Sequence, residues 1–430
     1  MTYLSPANMG HPAPLVQPDE VARRLANYQR TKDPGSLWPG LAERERVAAA
    51  RELERVARAV LAGETRIPLD TAERHTPYAL GVAGHTSGMG PLIGRWIEQD
   101  VLTATPATAE VFSEHVINGR NRASRMLREV LPAIDALLAR GITLVALKGF
   151  HTAHVYFDEP GVRPMSDVDL LVPAADIEDA EGVLRDAGFR PVTPALRPYK
   201  RDWIGPGVDP RVFSVERSDA RSKWGLELHA SLDRLYHPGA AARLDSERAR
   251  VEAFEIASRP LRLLAPSLLV VYLACHCSQE LDSIRLMRVF ELATIIRAER
   301  VAGRLDWREI ADLLEKTGAA EFTFPAFALV EDLAPGTIDA GVLDATRWAA
   351  TAAARHTVDR LAPGGGSLDD RGILRQLMWT RGVVGVAQRF LRTLWPAGFN
   401  RPADVIPGWR VRIRRLRSGI LSFRSPNERG

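Results

Sequence analysis

Asp167 and Asp169 stand in the run Ser166-Asp-Val-Asp-Leu-Leu-Val172. The apolar residues read as a short buried strand stopped by Pro173. Side chains alternate on a strand, so Asp167, Asp169 and Leu171 face one way and Val168, Leu170 and Val172 the other. Two carboxylates thus stand about 6–7 Å apart on one face, and their like charges repel unless a cation lies between them. Hard divalent ions such as Mg²⁺ take oxygen ligands of this kind together with substrate phosphates. Alternation alone also produces Asp-x-Asp on a half-exposed strand, so the surroundings must decide.

Three neighbouring stretches bear on that choice. Lys148-Gly149 follows the apolar run Ile142-Thr-Leu-Val-Ala-Leu147 and opens a helical turn, where backbone N–H groups and a lysine can meet phosphates. Arg163-Pro-Met-Ser166 leads straight into the aspartate strand and brings a second cation to its mouth. Leu226-Glu-Leu-His229 repeats the alternation, with Glu227 and His229 on one face. Glu227 is the candidate third carboxylate. His229 either backs the carboxylates or packs as a core histidine.

The elements that must position these residues follow from local pattern. Residues 142–147, 166–172, 212–216 and 224–232 read as strands, and 150–157 and 174–188 as helical. Helical spacing also marks 41–61, 108–117 and 123–140 upstream, and 240–257, 266–279, 284–300, 307–316 and 344–361 downstream. An α+β protein with a small mixed sheet between helical regions results. The expected divisions are an N-terminal arm and helical region over 1–135, a core over 136–235, a helical domain over 236–361, and a linker with a basic tail over 362–430.

Composition bounds the class. Hydrophobic residues make up 46% and charged residues 26% of the 430, which suits a globular chain with a buried core. The net charge of +4 by itself does not indicate nucleic acid. No basic segment followed by an apolar one opens the chain, and the longest apolar run, 263–275, falls short of the ~20 residues a membrane span needs. A cytoplasmic location is expected. The two cysteines, Cys275 and Cys277, flank His276, exclude a disulfide framework, and read as reduced buried thiols.

Taken together, Ala146-Leu-Lys-Gly149, Arg163-Pro-Met-Ser-Asp-Val-Asp-Leu-Leu-Val172 and Leu226-Glu-Leu-His229 resemble a bacterial family of uncharacterised nucleotidyltransferases in the DNA polymerase β superfamily. Members of that family often accompany peptide natural-product clusters, including lasso peptide clusters. The resemblance extends over about 120–330, where the apolar helix ending at His276 and the Arg-rich helix from Arg285 to Glu291 also look like the family's. It departs from the superfamily's usual Gly-Gly or Gly-Ser in carrying Lys148-Gly149-Phe150, and has Glu227 and Glu291 where Asp is more frequent.

The resemblance implies a polymerase β-type nucleotidyltransferase core. It also implies transfer of a nucleotidyl group from an NTP, with pyrophosphate release, to a small-molecule or peptide acceptor. Asp167 and Asp169 would hold two Mg²⁺ ions, Glu227 would complete the second metal's ligands or take a proton, and Lys148, Gly149, Arg163 and Ser166 would bind the nucleotide's phosphates. His229 would stand behind the metal ligands, and His276 and Arg285 either line the cleft from the helical side or are helix-surface or core-capping residues.

Two other functions compete: transfer to tRNA or another RNA, and a catalytically silent nucleotide-binding scaffold. The tail from Arg401 to Gly430, with eight arginines against two acids, could meet RNA, an acidic peptide or anionic lipid, or simply pack on the body. Gly88-x-Gly90-x-x-x-Gly94 has the wrong spacing for a dinucleotide loop. Zinc-peptidase and serine-hydrolase motifs are absent.

Overall fold

The computed structural model describes residues 23, 24, 26, 27, 36–38, 40–70, 74–192, 199–206, 208, 224–237, 240–281, 285–361 and 378–380. The strand expected at 212–216, the linker and the basic tail beyond residue 380 lie outside the described residues.

Helix α1, Glu43–Leu61, buries Ala49, Leu53, Val56 and Ala57, one stripe of a 3.6-residue repeat. Short strand β1, Ile67–Pro68, leads to α2, Pro77–Ser87, whose first turn is capped by the Thr76 side chain accepting from the Ala79 N–H. Helix α3, Gly90–Glu98, follows, and then β2, Leu102–Thr103, which pairs with β1. The glycines that superficially suggested a dinucleotide loop serve packing. A Cβ on Gly90 would stand 2.7 Å from the His115 ring, and one on Gly94 would overlap the Phe112 carbonyl.

Residues 108–117 and 123–140 belong to a single helix, α4, Pro106–Ala139. Gly119 interrupts the sequence pattern but not the helix. Its missing side chain lets the Gly161 carbonyl pass close by.

The centre is a mixed sheet built from β3, Val145–Leu147; β4, Asp167–Leu171; β5, Arg190–Pro191; β6, Lys200–Ile204; and β7, Gly225–His229. A small hairpin, β8 Arg234–His237 and β9 Ala240–Ala242, stands apart. The hairpin of β10, Val251–Ile256, and β11, Arg259–Leu264, completes the sheet. Its strand order is β10-β11-β3-β4-β7-β6-β5, with β4 parallel to β7 and antiparallel to β3. Between β3 and β4 lie α5, Lys148–Val155, and a 3₁₀ turn, Pro160–Val162; α6, Ile177–Asp186, follows β4.

Residues 240–257, expected as a helix from their Ala, Arg and Glu content, instead form β9, a 3₁₀ turn at Leu244–Glu247, and β10. Pairing of β10 with β11, and of β11 with β3, supplies backbone partners and burial that outweigh local helix preference.

Downstream come α7, Pro266–Gln279; α8, Leu286–Val301; α9, Trp307–Thr317; α10, Ala320–Leu333; α11, Ala340–Ala349; and α12, Ala352–Val358. Helix α7 buries most of its residues, since α8, α9 and α10 all pack on it. The helix expected over 344–361 is two helices, broken where Thr351 caps the second. No helix among the described residues is long and apolar enough to cross a membrane.

The two faces of the sheet enter different cores. Ala146, Val168, Leu170, Leu226 and Leu228 pack towards α4 and α6. Val145, Leu147 and Leu171 pack towards the helical body. The carboxylate-bearing face is the one turned to that body.

Candidate active site

Register determines which polar side chains meet. In the parallel β4–β7 pair Asp169 lies opposite Glu227, Asp167 opposite Gly225, and Leu171 opposite His229. In the β6–β7 pair Asp202 lies opposite Glu227 and Lys200 opposite His229. Opposed residues share a face, so Asp169, Glu227 and Asp202 form one row, with His229 and Lys200 in the next. Gly225 puts no side chain beside Asp167, which leaves the mouth of the row open.

Lys148 enters from the other side. It is the first residue of α5 directly after β3 and holds φ at 45°, a left-handed backbone that non-glycine residues rarely adopt. Its Nζ donates to Asp169 Oδ1 at 2.5 Å and to Glu227 Oε2 at 3.1 Å. Lys200 donates to the other oxygen of Glu227 and forms an ion pair with Asp202 Oδ1 at 2.9 Å. His229, fully buried, lies behind the row with Nε2 2.8 Å from Asp169 Oδ1.

These charges act on one another. Burial, reinforced by the like charges of Asp169 and Glu227, pushes the Asp167 carboxyl up to about 6 despite Lys148 and Lys200. Burial would raise Glu227 too, but the Lys148 ammonium, His229 and Lys200 hold it well below the usual carboxylate range. Desolvation opposes the charge on Lys148, and Asp169 and Glu227 outweigh it, so its pKa is raised. His276 is driven well below its ordinary value by burial and then by Lys148, Arg288 and Arg234, which leaves it neutral at pH 7.

A cleft of about 280 Å³ lies between the carboxylate face and the α7–α8 wall. It gathers Lys148, Gly149, Arg163, Ser166, Asp167, Asp169, Glu227, His276 and Arg285, all singled out from sequence. His229 does not line it; this histidine reaches the cleft through Asp169 and Glu227. Ser166 Oγ donates to Asp167 Oδ1 at 3.2 Å.

Arg163 lines the cleft, but its guanidinium is bonded to Glu291 of α8 through Nε and Nη2 and to the Pro164 carbonyl through Nη1. Thr152 of α5 donates to the same Glu291. A Cβ on Gly149 would come within 2.8 Å of Arg163 Cζ, so the glycine is the floor over which that guanidinium passes.

Sequence reading missed Lys200, Arg288 and Glu280. The alternation in Lys200-Arg-Asp-Trp-Ile204 was a usable signal for Lys200. Arg288 follows Arg285 by three residues along the chain, and it pairs with Glu280 at 2.6 Å across the cleft wall.

Asp169, Glu227 and His229 each bring a ligand atom within 4.8 Å of the others, a spacing that suits one cation. The ammonium of Lys148 stands between two of these carboxylates, as a bound cation would. The donor set, chiefly carboxylate oxygen, fits a hard divalent metal.

A family model described as an uncharacterised nucleotidyltransferase matches residues 83–335, more than half of the chain. The chain belongs to this nucleotidyltransferase family. The matched span begins within α2, ends just after α10, and includes every cleft residue named above. No curated protein and no solved structure matches the chain. Membership makes nucleotidyl transfer the activity to be understood.

Proposed function

We propose that this protein is a Mg²⁺-dependent nucleotidyltransferase of the polymerase β type. It joins a nucleoside monophosphate unit from an NTP to a small-molecule or peptide acceptor, in keeping with a role in peptide natural-product assembly. The observation that carries the reading is the coincidence of Asp167, Asp169 and Glu227 on one sheet face with Lys148 and Ser166 in the same cleft.

In the reaction an acceptor oxygen attacks the α-phosphorus, the bond from that phosphorus to the bridging oxygen breaks, and pyrophosphate leaves. Mg²⁺ held by Asp167, Asp169 and Glu227 would neutralise phosphate charge and acidify the acceptor hydroxyl. Lys148 and the first N–H groups of α5 hold the phosphates at the end of β3. Arg163 acts as a brace that joins the loop before β4 to Glu291. Glu227, kept anionic by two lysines, is suited to holding a cation and is a poor proton acceptor. With the metal bound, Asp167 would serve as one of its ligands, and the proton of the acidified acceptor hydroxyl would leave to solvent.

A silent nucleotide-binding scaffold is the second reading. It is favoured by the two ammonium groups that already neutralise the carboxylates. One experiment separates the two: incubation with each α-labelled NTP, Mg²⁺ and host extract. Label on an acceptor that is lost with Asp167→Asn supports transfer; nucleotide binding without any labelled product supports the scaffold.

A further inference from the structure

Lys200 reaches the carboxylate row from β6, on the far side of β7, while Lys148 reaches it from the start of α5. Between them they occupy both oxygens of Glu227 and one oxygen of Asp169. A divalent cation entering this cluster would meet two ammonium groups already bound to its ligands. Both lysines also line the cleft, so each can turn from a carboxylate to a ligand lying there. Lysine suits that exchange, being a compact charge on a flexible four-carbon stem. A triphosphate offers several anionic oxygens at once and competes well for ammonium groups.

We propose that Lys200, together with Lys148, is a phosphate-binding residue that leaves its carboxylate for the triphosphate. Glu227 and Asp169 then accept a divalent cation only as the phosphates draw the lysines away. This rests on the nucleotidyl-transfer reading and adds to it a phosphate-binding residue and a reason for metal and nucleotide to enter together. A lysine permanently paired to Glu227 would repel the cation equally but would contribute nothing to phosphate binding.

The test uses the full chain and two separate probes by calorimetry, Mn²⁺ alone and inorganic tripolyphosphate alone in chelator. Lys200→Gln and Lys200→Met should each bind Mn²⁺ at least about tenfold more tightly than the wild type, because a competing charge is gone. The same variants should bind tripolyphosphate at least about tenfold more weakly, and Lys200→Arg should stay near wild type on both probes. Glutamine can still hydrogen-bond Glu227, so it keeps the test open if methionine prevents folding. Unchanged tripolyphosphate affinity in the variants would overturn the exchange, and so would Mn²⁺ affinity that is unchanged or lower. The labelled-NTP assay on the wild type judges the transfer reading separately, so either idea can fail without the other.

Discussion

Arg163 and Glu291 meet through two parallel hydrogen bonds, Nε to Oε1 and Nη2 to Oε2, each 2.9 Å long. One partner belongs to the loop before β4 and the other to α8, and both side chains are largely buried. The pair therefore ties the sheet side of the cleft to its helical side. Planar bidentate geometry makes this a directional tie as well as a charge pair.

Removing one partner should leave an uncompensated buried charge. Glu291→Leu and Arg163→Met are each expected to cost about 3–5 kcal/mol, and the double variant Arg163→Met/Glu291→Leu should recover much of that loss. Urea unfolding in a double-mutant cycle measures the coupling. Strictly additive losses would show that the two residues do not depend on each other.

Gly149 should be intolerant of even one carbon. Gly149→Ala would drive its Cβ into the Arg163 guanidinium and is expected to cost about 1–3 kcal/mol. In an Arg163→Ala background, where the obstacle is gone, the same change should cost little. Equal losses in the two backgrounds would place the cause in the backbone and not in the overlap.

Asp167 gives a pH signature of defined sign. Its carboxyl is ordinarily near 3.8 and is pushed up to about 6 in the fold. Between those values the folded protein binds more protons than the unfolded chain, so stability falls as pH rises through that window and stays lowered above it. Asp167→Asn removes the penalty and should gain about 1 kcal/mol over the wild type between pH 4 and pH 7, after allowing for solvent screening at the half-buried site. Chelator-treated samples unfolded in urea at the two pH values provide the comparison. A difference that does not change with pH would mean that Asp167 ionises as an ordinary carboxylate.

Glu227→Gln should still bind nucleotide through Lys148 and the α5 N-terminus, while single-turnover transfer drops roughly 10²–10⁴-fold. Glu227→Asp should retain part of the rate. Wild-type turnover in the glutamine variant would remove Glu227 from the reacting groups.

Much of the site was legible in the chain because strand alternation is a local property. It put Asp167 with Asp169 on one side of their strand and Glu227 with His229 on one side of theirs, whatever lay next to them. Lys148-Gly149 after an apolar run marked the turn into α5 in the same way, and the apolar run 263–275 announced a buried helix.

What local pattern cannot carry is the identity of the neighbour. That Asp169 stands opposite Glu227 was decided by the parallel β4–β7 register, and the place of Lys200 by β6 lying on β7's other edge. Arg163 reads in sequence as a free cation at the mouth of a strand; the packing of α8 made it one half of an ion pair. Residues 240–257 carry helix-forming side chains, yet the sheet edge offered by β11 drew part of them into β10. In each case segments distant along the chain exclude water together, and the free energy of that burial and pairing exceeds the few tenths of a kcal/mol per residue that local preference supplies.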